Sequence, residues 1–128
     1  MQQDVANAID ELKRAFPSSV VETVEDGQGG VFFTLNGAEI GTKFEPQCTW
    51  FGAHIPAQYP YADIYPVFMD AGVQRADGRP FEVPITPNAN FNGRPALQIS
   101  RRNNHAQAHP QTAVAKILKI LDFLERLP

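Results

Sequence analysis

Prolines punctuate the middle of this chain, at Pro56, Pro60, Pro66, Pro80, Pro84, Pro87 and Pro95. A proline lacks the N–H that a sheet ladder needs, so it belongs to edges, strand ends and loops. Most of Pro56–Pro95 is therefore predicted not to be central strand. Short extended pieces fit at Tyr65–Met69 and Phe81–Ile85, with Asp77-Gly78 turning between them.

Regular structure is pushed to the flanks. Val5, Ile9, Leu12 and Phe16 recur at helical spacing with charges on the other face, which predicts an amphipathic helix over 3–16 stopped by Pro17. Val20, Val21 and Val24 read as a short strand ended by the turn residues Asp26-Gly27-Gln28-Gly29-Gly30. Val31–Leu35 reads as a second strand. Asn36-Gly37 is a hairpin signal, because both residues tolerate the positive φ of a tight turn. Further strands fit near Ala38–Phe44 and Thr49–Ile55. At the other end, Val114, Ile117, Leu118, Leu121 and Leu124 share one helical stripe, with Pro110 suited to the first turn and Lys119 and Arg126 to the end. Helix, strand meander, irregular segment and helix make an α+β domain, with helices packed on an antiparallel sheet.

The 128 residues fit one domain, 1–128, large enough for a core without disulfides or a structural metal. A net charge of −3 argues against a nucleic-acid surface built on bulk positive charge. Cys48 is the single cysteine, so no intrachain disulfide can form, and a reducing compartment fits. Met1–Phe16 is broken by charges and lacks the apolar stretch of a signal peptide. No apolar run approaches the roughly 20 residues that span a bilayer. The expectation is a cytoplasmic protein with neither a membrane nor a nucleic acid as partner.

Three segments, in order, carry a resemblance. Ile55-Pro56-Ala57-Gln58-Tyr59-Pro60 resembles an apolar-Pro-x-x-Tyr-Pro motif that follows a third sheet strand. TPNANFNGRPALQIS, Thr86 to Ser100, resembles a His-Pro-Asn tripeptide followed by Asn-Gly and then a cysteine and a leucine. Eight residues after Asn88 the cysteine position falls on Ala96, with Leu97 next. HPQTAVAKILKILDFLERLP resembles the Ser-Pro-x-x-Thr start and apolar stripe of the following helix, with His109 in place of the serine and Thr112 one residue early. Together they resemble the ubiquitin-conjugating-enzyme family over nearly the whole chain. The pattern departs in two places. Thr86 replaces the histidine, and the interval from Tyr59-Pro60 to Pro87-Asn88 is longer, which suggests an added or lengthened hairpin at Asp70–Gly78.

The resemblance implies a ubiquitin-conjugating-enzyme-like fold. It also implies a role in carrying ubiquitin, or a ubiquitin-like protein, from an activating enzyme to an amine on a target protein. A thiolate performs that transfer because it both attacks and leaves well near neutral pH. A methyl group does neither, so the chain cannot form a thioester at Ala96. The alanine fits two origins: replacement of a cysteine or serine nucleophile in an engineered inactive form, or a natural non-catalytic relative that docks a modifier or partner enzyme. The compact length and divergence suggest a bacterial branch, whose members are expected to work beside a companion activating enzyme and modifier, with phage defence as the implied setting.

By the same resemblance, the Asn88 amide would stabilise the oxyanion formed during aminolysis or hold its loop. His105, in the loop before the last helix, would tune an incoming lysine as a general base. Lys13 and Arg14 on the first helix would meet the activating enzyme; a solvated helix face explains them equally well. Ser100, followed by Arg101 and Arg102, is a candidate displaced nucleophile with no base beside it in sequence, and reads better as a surface residue. His105 and His109 are four apart and His54 is elsewhere, but Pro110 keeps His109 out of a helix interior and no cysteine or carboxylate pattern joins them, so neither metal nor cofactor is predicted. Cys48, among strand residues, reads as a small core side chain.

Overall fold

A computed structural model describes residues 1–104 and 108–128. It is α+β. Helix α1 (Gln3–Ala15) precedes strands β1 (Val20–Glu25), β2 (Val31–Glu39), β3 (Phe44–Glu45), β4 (Cys48–Ile55), β5 (Val67–Asp70), β6 (Gln74–Arg75), β7 (Ile85–Phe91) and β8 (Arg94–Ile99). Helix α2 (Ala113–Glu125) follows. Six strands form an antiparallel sheet in the order β1-β2-β4-β5-β8-β7, and β3 pairs with β6 as a separate ribbon. Among the described residues no helix is long and apolar enough to cross a membrane.

Alternation along the strands gives the sheet two unlike faces. Phe33 and Leu35 of β2, Phe51, Ala53 and Ile55 of β4, Met69 of β5 and Ile99 of β8 pack with both helices in one buried cluster. Val5, Ala8, Ile9 and Leu12 supply the α1 stripe, and Ala113, Ile117, Ile120 and Leu124 that of α2. Each fully buried side chain of Leu or Phe size contributes about 2 kcal/mol. The opposite face carries a smaller aromatic cluster of Trp50, Phe91 and Ala96, with Phe32, Phe68 and Ala89 packed against it. No described helix joins that cluster.

Most of Pro56–Pro95 is indeed not central strand; β5 and the start of β8 are the exceptions, and Pro95 is the one proline they contain. Residues 85–99 form a hairpin, and β8 lies inside the sheet between β5 and β7. Pro95 is tolerated there because β5 ends opposite Ala96, where Asp70 pairs, so no β5 carbonyl awaits a proline donor. The Pro95 carbonyl still accepts the Ala71 N–H at 3.2 Å. Pro87 lies on β7, an edge strand. Residues 81–84 are not strand.

Asn36-Gly37 is not a hairpin turn. Strand β2 runs through it with a bulge, since Leu35 pairs with Phe51 and Ala38 with Thr49. Gly37 takes φ 80, and the Asn36 amide binds the Val20 carbonyl and the Glu22 carboxylate. The strand expected over Ala38–Phe44 is divided: Ala38 and Glu39 end β2, and Phe44 begins the two-residue β3. The Asp70–Gly78 stretch turns away from β5 and pairs with β3 instead of folding into its own hairpin.

The β1–β2 turn is held by Asp26. One carboxylate oxygen accepts the Gln28 and Gly30 N–H groups at 2.7 and 3.0 Å, and the other accepts His54 Nε2 at 2.7 Å. The His54 hydrogen bond, followed by that of Gln28, holds the Asp26 carboxyl below its usual range. Its folded value is thus below its unfolded one, so the stabilisation is present above the ordinary carboxylate range and disappears as pH falls through the folded value. Asp26→Asn is expected to lower stability near neutral pH and to flatten the acid side of the stability curve. Urea midpoints compared between acid and neutral pH measure this; parallel curves for the two proteins would count against it.

Candidate functional site

The loop after β4 and the start of α2 are tied by buried polar contacts. Tyr59 is buried, and its hydroxyl accepts the Ala113 N–H at 3.0 Å, one of the donors that a helix N-terminus leaves unpaired. Burial pushes the Tyr59 phenol above its usual range. Thr112 is the N-cap, its hydroxyl accepting from Ala115 N at 3.0 Å. The helix thus begins after Thr112, and Pro110 lies outside its first turn.

One turn further on, Lys116 is 1% exposed. Its ammonium donates to both Asp63 oxygens at 3.1 and 3.2 Å and to the Arg101 carbonyl at 2.5 Å. Asp63 also accepts the Asn103 N–H at 2.6 Å. Burial lowers the Lys116 pKa, and Asp63 opposes that shift. This network joins the 56–66 loop, the segment after β8 and α2. Sequence reasoning missed it and placed Leu118 on the buried stripe instead, where the structure leaves Leu118 52% exposed. The available signal was Lys116 standing three residues after Ala113 and four before Ile120, on the same stripe.

The β7–β8 hairpin turns at Asn92-Gly93, with φ of 49 and 88, and Phe91 pairs with Arg94 across it. Both positive angles match a two-residue turn of the I′ kind. The Asn90 carbonyl oxygen of the side chain accepts the Gly93 N–H at 2.9 Å. A bulge follows along β7, where Thr86 pairs with Gln98 and Ala89 with Ala96. Asn88 lies in that bulge at φ 65, which its short polar side chain tolerates.

Ala96 and Asn88 are brought close in the ladder but differ in setting. Ala96 lies between Asp70 of β5 and Ala89 of β7, is 1% exposed, and belongs to the aromatic cluster of the helix-free face. In the same cluster, the Phe91 ring lies against Gly52, where a Cβ would come within 2.5 Å of the ring. The Arg94 guanidinium lies 4.4 Å from the Trp50 ring centroid. Asn88 is exposed. A thiol at position 96 would be enclosed by apolar groups, which disfavour a thiolate.

Beyond β8, Ser100 accepts from Gln98 Nε2 at 3.1 Å, and its backbone N–H reaches the Pro84 carbonyl. A hydrogen bond with Ser100 holds the Tyr65 phenol below its usual range, and the Arg102 guanidinium lies 3.8 Å over the Tyr65 ring. Arg101 covers Phe123 at 4.8 Å. Ser100 is therefore half-buried and hydrogen-bonded, not a solvated loop residue. His105 lies outside the described residues. Lys13 and Arg14 are exposed in the last turn of α1. Cys48 is exposed at the start of β4, opposite Glu39, and is not a core side chain. Among the described residues no group of three or more His, Cys, Asp or Glu could hold a metal ion.

No family model, curated protein or solved structure matches the chain.

Replacing Asp63 with Ala strands the Lys116 charge in the interior and is expected to cost about 3 kcal/mol. Asp63→Ala with Lys116→Met should recover much of that loss. Urea unfolding of the single and double variants measures the difference; equal stabilities would show that the pair is not coupled.

Proposed function

We propose that the chain is a ubiquitin-conjugating-enzyme-like domain that acts in the transfer of ubiquitin or a ubiquitin-like protein, and that in this form it docks a modifier or partner enzyme without carrying the modifier itself. The order of segments supports the first half. An N-terminal helix, an antiparallel sheet, the Tyr59-Pro60 loop, the Asn88–Leu97 segment and a closing helix follow the arrangement the motifs imply. Tyr59 and Thr112, both within those motifs, meet at the N-terminus of α2.

The setting of Ala96 carries the second half. Its methyl group can form no thioester, and its 1% exposure leaves an incoming activated carboxyl no approach. Conjugation instead needs an accessible thiolate. The exposed Lys13 and Arg14 remain the candidate contact for an activating enzyme, and Asn88 the candidate contact at the bulge.

The catalytic reading, in which Ala96 replaces a working nucleophile, makes the opposite prediction for Ala96→Cys. The variant would be incubated with an activating enzyme, a ubiquitin-like modifier from the same genome and ATP, then resolved on gels with and without thiol. Docking without carriage predicts no thiol-sensitive adduct, together with saturable binding of the unaltered chain to the modifier or the activating enzyme. An adduct would overturn the docking reading in favour of a conjugating transferase. Absence of both adduct and binding would remove the whole proposal.

A further inference from the structure

The sheet has two edges, and they are not alike. Strand β7 is blunted by Pro87 and by the bulge at Asn88, devices that prevent another strand from pairing. Strand β1 has neither. Its sequence Val-Val-Glu-Thr-Val-Glu contains no proline, glycine or lysine, and all six residues pair with β2 in unbroken register, from Val20 opposite Asn36 to Glu25 opposite Val31. Beyond that ladder, the one bond to β1 backbone among the described residues is from the Asn36 amide to the Val20 carbonyl. The outer backbone groups of a regular strand are a template for one more strand.

Side chains say what that strand would be. Val20, Glu22 and Val24 project on the helix-free face, since their partners there are Asn36, Thr34 and the cluster residue Phe32. Val20 is 64% and Val24 63% exposed. Between Arg14 and Lys43 the chain has no basic residue, while Glu22, Glu25, Asp26 and Glu39 are all acidic. Glu25 meets the Met1 ammonium at 2.9 Å, and Asp26 holds the turn and His54. Glu22 binds the Asn36 amide through one oxygen, leaving the other for a cation. A second copy of this strand would set glutamates of both copies together along one short ladder, which like-charge repulsion opposes.

We propose that the β1 edge takes an extended segment of a partner protein with the pattern apolar-x-Lys/Arg-x-apolar, added antiparallel as a seventh strand. The two apolar side chains lie beside Val20 and Val24, and the basic one opposite Glu22. The main chain supplies the ladder bonds and the alternating side chains supply selectivity.

The probe is a blocked heptapeptide, Thr-Val-Thr-Lys-Thr-Val-Thr, titrated to about 1 mM into the isotopically labelled chain. Amide shifts concentrated at 20–25, with slowed hydrogen exchange there, are expected. Replacing the peptide lysine with glutamate should weaken binding roughly fivefold or more, and Glu22→Lys should reverse that preference. The peptide-side change keeps the test valid whatever Glu22→Lys does to folding. Shifts elsewhere, no shifts, or indifference to the peptide charge would overturn the proposal. So would sedimentation showing that β1 is closed by a second copy.

Discussion

The ion pair between Lys116 and Asp63 holds three separate parts of the chain in one place. Neither charge would stay inside alone, because removing an ammonium or a carboxylate from water costs several kcal/mol. Together, with the Arg101 carbonyl and the Asn103 N–H completing the set, they fix the 56–66 loop and the segment after β8 against α2. The Tyr59–Ala113 hydrogen bond repeats the tie one turn away. The position of α2 over the sheet, and with it the buried cluster, follows from these polar ties as much as from its apolar stripe. Such a pair is a poor source of net stability but a strict condition on geometry, since any other docking leaves a charge unmatched.

Periodicity made both helices legible, along with the β1–β2 turn and strands β2 and β4. The signal was weaker where one local pattern has two outcomes. Asn-Gly occurs twice. At Asn92-Gly93 the flanking strands pair with each other, so the dipeptide turns the chain. At Asn36-Gly37 the strand continues, because Ala38, 4% exposed, still belongs to the core, and the positive φ of Gly37 is spent on a bulge. Proline holds as a guide over most of Pro56–Pro95, and Pro95 alone enters a central strand. Its missing donor costs less where the neighbouring ladder ends, and that of β5 ends at Asp70, opposite Ala96. Lys116 stands on the buried stripe of α2, but its partner lies 53 residues away in a loop, where no local pattern points to it.

The candidate site divides likewise. The motifs located the hairpin and the helix start, and the structure puts Ala96 beside Ala89, the neighbour of Asn88. Composition could not reveal that Ala96 faces away from the helices into an aromatic cluster, because face assignment depends on register. Nor did it reveal that Cys48 would emerge at a strand end. The helix-free face, with its half-buried Phe32 and Phe68 and its polar His54 and Gln98, is the surface that these placements leave open.

Gly52 and Phe91 occupy a single volume that only one of them can fill. The ring uses the space a side chain at 52 would need. Over evolutionary time the two sites are therefore not free to drift separately. A lineage that gains a side chain at 52 must shrink or move the ring at 91, and with it repack the cluster that contains Ala96. Covariation of these two positions would trace when, along the descent of such chains, this cluster was repacked.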